Sequence, residues 1–507
     1  MRSILKTILT TALILTGGSG VHGFSLMGPF DPAYQTTDLN YGRFTIIAQA
    51  GDLGGPMNLG EEYRVGSPVI VYGFDQKFQE FFGDEGIAAV ESAVAILNNL
   101  PTVPNMSTNL AEFPLNTSRF NVVAQQLRLL DVKSLALSIL LQQMGLASPE
   151  RYTWTLRNRL PIPNTTPQQY TYLVVQRNFD PVSWQYSSYV NNTLYTYQIV
   201  HLFAPTDWSD AQEIAVNVAN PNVTVIASAG LQAGATDPRV YQQVYGPLRG
   251  VFGGFGLYYS GLTRDDVGAI RYMYRSGNVN WQAPPLGATG GGGGGGSAGG
   301  SPWNIVGFQV VNPLPGSPWT VVGGGLFGIT NTVGGGVVGG APPNGGRGGP
   351  GKVAFVRIDT DPLLGEYLFP VTITYPETVI NSQGVAVNTV VQRQILQPDI
   401  LFTVADVGTY PDLSQPYVYG VFNTLFTQVQ NPGGSPLVSA GPGIIEPGVV
   451  VAFNNVGPWL FNAFDTAQIE SLDGFVWGSF DGTTNTPIVY PQGATAQQLE
   501  SKLFQQQ

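Results

Sequence analysis

The chain has 507 residues, a formal net charge of −11 and no cysteine. Its length predicts roughly two to four domains, the missing cysteines exclude a disulfide-stapled module, and the acidic balance argues against nucleic acid as a partner. Charged residues make up only 11% of the chain, against about 25% in typical soluble domains. Such an uncharged polar surface favours self-association, although a monomer with a neutral polar surface has the same composition.

The first 23 residues have the pattern of an export signal. Arg2 and Lys6 give a basic start, residues 8–15 are apolar, and Gly23 supplies a small residue at the predicted cut. The apolar run is shorter than the roughly 20 residues that span a bilayer, and no later stretch predicts a transmembrane segment. The sequence therefore predicts a signal peptide over residues 1–23 and a mature protein that is secreted or held at the cell surface, starting at Phe24.

Residues 24–282 mix helical and strand periodicity, which predicts an α+β domain. Their predicted elements, in chain order, are a strand at 69–74, a helix opening at Gly83 and ending before Pro101, a helix at about 132–144, strands at 170–176 and 194–203, and a helix at 264–274 with Thr263 as its N-cap.

Two segments of this domain carry a family resemblance. Residues 69–75 read VIVYGFD and lead into the first long helix, and residues 258–270 read YYSGLTRDDVGAI. In this order they resemble the opening strand and the closing helix of the matrixin-like branch of the metzincin zinc proteases. The resemblance implies a metzincin-like fold for residues 24–282.

Between these segments, residues 135–148 read LALSILLQQMGLAS and align without a gap to that family's HExxHxxGxxH helix. The zinc-ligand positions then fall on Ser138, Gln142 and Ser148, and the position of the catalytic Glu falls on Ile139. Neutral oxygens do not replace three imidazoles around zinc, and an aliphatic side chain moves no proton. The resemblance thus implies a pseudoprotease with no catalytic residue and no zinc.

Four acidic residues are candidate calcium ligands, because Ca²⁺ prefers hard oxygen donors. Asp207 and Asp210 lie close together, and Asp359 and Asp361 form a second pair. Simpler interpretations are available for both pairs. The first would cap a helix running through residues 214–218, and the second would form a polar turn after a strand.

Residues 283–351 are dominated by two glycine-rich stretches, 287–300 and 323–351, which predict flexible linkers. Between them, SPWNIVG at 301–307 recurs as SPWTVVG at 317–323. This repeat predicts a short β-hairpin. An exposed Trp pair that binds carbohydrate or a partner subunit is the alternative interpretation.

Residues 352–490 carry short apolar strands separated by Gly, Pro and Asn, a pattern that predicts an all-β domain of β-sandwich type. A polar tail follows at 491–507. The predicted strands are 353–358, 369–375, 385–395, 400–404, 418–426, 448–453 and 474–480.

Three functions are compatible with these patterns. The leading hypothesis is an exported, non-catalytic protein of surface assembly or adhesion, whose partners are further copies, other surface proteins or glycans. The second is an exported hydrolase with an acidic site, and the third is ligand binding in a vacated protease cleft lined by Ser138, Gln142 and Ser148. His201 is the only histidine beyond the signal peptide, and its place in an alternating strand favours a structural role.

Overall fold

The computed structural model combines helices with several sheets, as expected for the α+β class. It describes residues 23–26, 58–60, 62–127, 129–147, 149, 153–202, 208–216, 255–281, 288–289, 332–333, 336–337, 346–358, 371–380, 385–395, 398–405, 420–425, 429–430, 436–437, 443–454 and 476–491. Within these residues, every helix is too short or too polar to cross a membrane. The repeat at 301–323 and the tail from 492 onward lie outside them.

Within the described residues, the helices all lie before residue 282. They are α1 (Gln76–Asn98), α2 (Val122–Gln126), α3 (Val132–Gln143) and α4 (Arg264–Tyr274), with a 3-10 turn at Val103–Asn105.

The strands of the first part of the chain are β1 (Ser25–Leu26), β2 (Tyr63–Val65), β3 (Val69–Phe74), β4 (Ser118–Phe120), β5 (Leu129–Asp131), β6 (Leu146–Ala147), β7 (Thr155–Pro161), β8 (Tyr170–Val175), β9 (Tyr189–Val190), β10 (Thr193–Leu202), β11 (Trp208–Val216), β12 (Leu257–Tyr259), β13 (Asn280–Trp281) and β14 (Ala288–Thr289). Those of the second part are β15 (Thr332–Val333), β16 (Gly336–Val337), β17 (Gly346–Arg347), β18 (Ala354–Arg357), β19 (Val371–Ile380), β20 (Ala386–Ile395), β21 (Ile400–Ala405), β22 (Gly420–Leu425), β23 (Val429–Gln430), β24 (Pro436–Leu437), β25 (Gly443–Asn454), β26 (Val476–Ser479) and β27 (Ile488–Val489).

The central sheet has the strand order β18-β3-β21-β25-β2, and β22 also pairs with β25. Strands β18 and β21 both run parallel to β3, and β25 runs parallel to β21 and β2. Only β22 is antiparallel to its neighbour in this sheet. Its parallel strands are rich in Val, Ile and Phe, as expected for strands buried on both faces.

The structure does not confirm the predicted division at residue 352. Strands β18, β21 and β25 come from the predicted sandwich, yet they are hydrogen-bonded into one sheet with β2 and β3 from the predicted first domain. Strand β26 likewise pairs in parallel with β5. The strand positions were predicted well, but alternation of apolar residues identifies a strand without identifying its neighbour.

An aromatic core lies beneath this sheet and joins both ends of the chain. Phe74 packs on Phe402 with ring centroids 5.4 Å apart, Phe78 packs on Phe453 at 5.7 Å, and Phe82 packs on Tyr490 at 5.0 Å. Aromatic pairs at such separations add about 0.5–1.5 kcal/mol each beyond their burial. Helix α1 supplies the central rings and also packs against α3.

Helix α1 begins earlier than predicted. Asp75 is its N-cap and accepts a hydrogen bond from the Phe78 amide at 2.8 Å. Gly83, predicted to open the helix, instead lies within it as a kink with φ of 60°. The prediction was wrong because a glycine was taken as the start, whereas Asp75 provides the side-chain oxygen that a helix N-terminus needs.

The other two predicted helices agree closely with the structure. Helix α3 ends one residue before the predicted limit, and α4 begins after Thr263 as expected. Thr263 and Asp266 form a reciprocal capping box, in which the Thr263 amide donates to the Asp266 carboxylate at 2.8 Å. This arrangement satisfies two of the amides that a helix N-terminus leaves without partners.

A second sheet has the order β13-β17-β19-β20-β14 and is built around one long hairpin. Strands β19 and β20 pair over ten residues each, from Val371 opposite Ile395 to Ile380 opposite Ala386. The hairpin reaches the central sheet through Ile395, which packs with Val71 of β3.

Candidate functional site

The helix predicted to carry the lost zinc site is buried. Ser138 is 1% exposed and Ile139 is 2% exposed, and Ile139 belongs to the main hydrophobic core. The side chain of Gln142 lies outside the described part of the chain, as does the whole of Ser148. The vacated-cleft hypothesis needed Ser138 to line an open pocket, and the burial of Ser138 removes that support.

Gly145 occupies a turn directly after α3. Its φ is +101°, and a Cβ at this position would lie 2.1 Å from the carbonyl oxygen of Tyr63. Only glycine adopts this backbone conformation without strain and leaves room for the neighbouring strand. The glycine of the aligned motif therefore has a packing reason that is independent of any metal.

Only one of the four predicted calcium ligands, Asp210, lies in the described part of the chain. Asp207, Asp359 and Asp361 lie outside the described residues. Asp210 lies on β11 opposite Val200. Within the described parts of the chain, no group of three or more His, Cys, Asp or Glu side chains is placed to hold a metal ion.

The helix predicted through residues 214–218 is wrong where the structure describes it. Residues Trp208–Val216 form strand β11, which pairs antiparallel with β10 from Leu194 opposite Val216 to Leu202 opposite Trp208. The Ala-Gln-Glu segment has helical propensity, but pairing along nine residues outweighs such a weak local preference. His201 lies in the same ladder, opposite Ser209.

The buried charged side chains form structural networks. Glu62 accepts hydrogen bonds from the Gly60 amide at 2.5 Å and from the Asn278 side chain at 2.9 Å. Arg347 donates to Glu377 at 2.5 Å. Buried ionic groups held in this way are anchored between secondary-structure elements rather than offered to a substrate.

Asp131 is a buried acid on β5, directly before α3. Its Oδ2 accepts hydrogen bonds from the amide and the hydroxyl of Ser134, whose hydroxyl in turn accepts from the Tyr259 amide at 2.9 Å. Burial raises the pKa of Asp131 to about 6, although the hydrogen bonds from Ser134 and the charge of Lys133 oppose this shift.

Replacing Asp131 with Asn is expected to stabilise the protein at pH 8 and to give no such gain at pH 4. Because the folded-state pKa is raised from 3.8 to about 6, the ionised carboxylate destabilises the fold above pH 6, and this penalty disappears as the pH falls towards 4. We expect a gain on the order of 2 kcal/mol at pH 8. Urea denaturation at both pH values measures it, with the exposed Asp84→Asn as control. An equal effect at both pH values would contradict the expectation.

The outer side of the β19–β20 hairpin is a long, regular surface formed by ten paired positions. Side chains alternate between two sides. One side holds the buried residues Tyr375, Val379, Val391, Arg393 and Ile395, although Val387 on that side is 42% exposed, and the other side is mostly exposed. We call the exposed side the uncharged face, and its members are Thr372, Thr374, Pro376, Thr378, Ile380, Ala386, Asn388, Val390, Gln392 and Gln394.

The two charges of the hairpin both lie on its opposite side. Between residues 371 and 395 the only charged side chains are Glu377 and Arg393. Their side chains are 11% and 5% exposed and are paired with Arg347 and Asp399 respectively. The uncharged face therefore carries no charge along its whole length, which is about 33 Å for ten residues per strand.

The sequence predicted both strands of this hairpin without predicting the face they form. The predicted strands at 369–375 and 385–395 overlap β19 and β20. The pairing of Thr378 with Asn388, whose side chains are hydrogen-bonded at 2.8 Å, shows which residues share a side. The signal that could have revealed the face is the position of the two charges. Glu377 and Arg393 each lie an even number of residues from the buried positions of their own strand, and therefore share a side with them.

Comparison of the chain with protein-family models, with curated proteins and with solved structures returned no match.

Proposed function

We propose that this chain is an exported, non-catalytic protein that assembles at a surface by packing the uncharged face of one copy against that of another. The observation that carries the proposal is the complete absence of charge on the exposed side of β19 and β20. Charged side chains spread over a soluble surface normally discourage association with other chains.

The chemistry of the face favours a second copy over a charged partner. A face without charge offers no complementarity to an acidic or basic surface, whereas two such faces bring together Thr, Val and Pro side chains with no charge to desolvate. Val390 is 58% exposed at the centre of this surface. Sheets pack face to face at about 10 Å with interdigitating side chains, and this is the contact that we propose between the two hairpins.

The size of the face predicts that one contact is weak. Two strands spaced about 4.8 Å apart and 33 Å long cover roughly 300 Å², well below the about 800 Å² per partner of a stable interface. A stable dimer in dilute solution is therefore not expected from this face alone. Association should rise with concentration, and it should be strongest where many copies are held together on a surface.

Two further observations support the non-catalytic and exported parts of the proposal. Of the positions aligned with the zinc site of metzincins, Ser138 and Ile139 are buried in the core, and neither supplies an imidazole or a carboxylate. The N-terminal pattern of Arg2, Lys6 and the apolar residues 8–15 favours export. We infer a protease-like ancestry for this part of the chain from the resemblance alone.

Introducing two lysines on the uncharged face is expected to abolish association. In the variant Thr372→Lys/Val390→Lys, each copy brings two charges to the contact, and burying unpaired charges or bringing like charges together is strongly unfavourable. Sedimentation velocity over a concentration series should show wild type moving to larger species and the variant remaining monomeric.

The matched control carries the same added charge elsewhere. Gln79→Lys/Gln126→Lys places both lysines at exposed positions on α1 and α2, and it should associate like wild type. If the control also fails to associate, the loss reflects net charge and the face has no special role. If wild type is monomeric at every concentration but binds immobilised glycans, adhesion replaces assembly as the function.

A further inference from the structure

The segment that follows the predicted export signal begins inside the fold. The amide of Phe24 donates to the carbonyl oxygen of Phe179 at 2.8 Å, and the Phe179 amide donates back to Phe24 at 2.8 Å. The Phe24 ring is fully buried, 6.0 Å from Phe179 and 5.9 Å from Tyr272 between ring centroids. Next, Ser25 and Leu26 form β1, which pairs with β6.

Gly23 itself is packed into this arrangement. It is buried, and a Cβ at this position would lie 2.0 Å from the side-chain nitrogen of Asn178 and 2.3 Å from the carbonyl oxygen of Tyr189. Asn178 cannot move away easily, because its Nδ2 donates to the Tyr189 carbonyl at 2.7 Å and to that of Ser187 at 3.2 Å. The small residue at 23 is thus required by packing, whether or not a peptidase reads it.

Cleavage after Gly23 would place a new charge in this buried position. The α-amino group of a chain starting at Phe24 has an ordinary pKa of about 7.7–8.0, so it is largely protonated at neutral pH. Burying an ammonium group costs several kcal/mol unless an anion neutralises it, and the partner of the Phe24 nitrogen is the neutral carbonyl of Phe179. A cut further upstream avoids this cost and keeps the contacts of Gly23.

We propose that the export signal is cleaved after Gly20, so that the mature chain starts at Val21 and retains Gly23 as part of the folded domain. Gly18-Ser19-Gly20 supplies small residues at both positions that a signal peptidase reads in an A-x-A-like site. Val21 and His22 then separate the charged terminus from the buried Phe24. This inference rests on the proposed export.

N-terminal sequencing and intact mass of the protein recovered from the medium of a secreting host test the cleavage site. We expect Val21 as the first residue. A start at Phe24 or later overturns this inference while leaving export intact. A product that retains Met1 and stays inside the cell overturns the proposed export itself, and the inference with it.

The variant Gly23→Ala gives an independent measurement on the same secreted product. If Gly23 is retained, the mature variant is heavier by one methylene group, and the clash with Asn178 and Tyr189 lowers its melting temperature by a few degrees. If Gly23 is removed, the mature proteins are identical in mass and stability. Identical mass or an unchanged melting temperature overturns the inference. Gly277→Ala, where a Cβ meets nothing within 4 Å, is the control for the substitution.

Discussion

Replacing Asp399 with Ala is expected to destabilise the folded protein by about 3–5 kcal/mol, because it leaves a buried Arg without its anion. The Arg393 guanidinium binds both carboxylate oxygens of Asp399, with Nη1 to Oδ2 at 2.9 Å. The side chains are 5% and 6% exposed. Oδ2 also accepts the amide of Val71 at 2.9 Å, so the substitution removes a hydrogen-bond partner from β3 as well.

The position of this pair makes the variant a test of the architecture. Arg393 lies on β20, Asp399 precedes β21, and Val71 lies in the middle of β3, so the three residues join the hairpin sheet to the central sheet. Guanidinium denaturation measures the loss. The double variant Arg393→Met/Asp399→Ala removes the uncompensated charge, and it should be less destabilised than Asp399→Ala alone.

An exposed ion pair provides the control. Arg357 and Glu91 lie 2.6 Å apart with side chains that are 38% and 40% exposed, and Glu91→Ala is expected to cost no more than about 1 kcal/mol. This pair also joins the two halves of the chain. If Asp399→Ala and Glu91→Ala have the same small effect, the described contact between hairpin and central sheet does not contribute to the fold.

Replacing Arg64 with Met is expected to have an effect of similar size, roughly 3 kcal/mol or more, because it leaves three buried carbonyl oxygens short of a donor. Arg64 is completely buried. Its Nη1 donates to the carbonyls of Met273 at 3.0 Å and Asn278 at 2.6 Å, and its Nη2 donates to that of Arg347 at 2.6 Å. Burial lowers the pKa of Arg64 to about 10, so the side chain stays charged at neutral pH.

These three acceptors explain why Arg64 connects distant parts of the chain. Met273 lies in the last turn of α4, where the helix dipole favours a cation, and Arg347 lies on β17, near the end of the second glycine-rich stretch. Urea denaturation of Arg64→Met should show a lower midpoint. Arg119→Met is the control, because Arg119 is exposed and donates to the carbonyl of the adjacent Ser118. Equal midpoints for the two variants would contradict the assigned role.

Local features of the fold were predictable from the sequence, and long-range ones were not. Thr263 and the acidic first turn predicted the start of α4. The pattern of apolar residues located β3, β20 and β21 within a few residues. Nothing in residues 354–357 indicated that they pair with Val69–Phe74, because a strand pattern carries no information on its partner. Strand β11 was missed because its composition favours a helix, and its pairing with β10 overrides that local preference.

The candidate site shows the same limit. The alignment of residues 135–148 gave predicted positions for a former zinc site, but a helix with a long apolar run is also typical of a buried element. Leu137, Leu140 and Leu141 are all fully buried, which agrees with that simpler interpretation. The uncharged face depends on which side of a hairpin meets the core, and the registry that decides this is a property of tertiary structure.

The most direct test of assembly through the uncharged face is to mix two variants of opposite charge. Thr372→Lys/Val390→Lys and Thr372→Glu/Val390→Glu should each sediment as monomers, because each copy meets like charges across the contact. An equimolar mixture should regain the larger species seen for wild type, because lysine then faces glutamate. If wild type associates but the mixture does not, copies do not meet face to face. A wild type that remains monomeric at every concentration would contradict the account altogether.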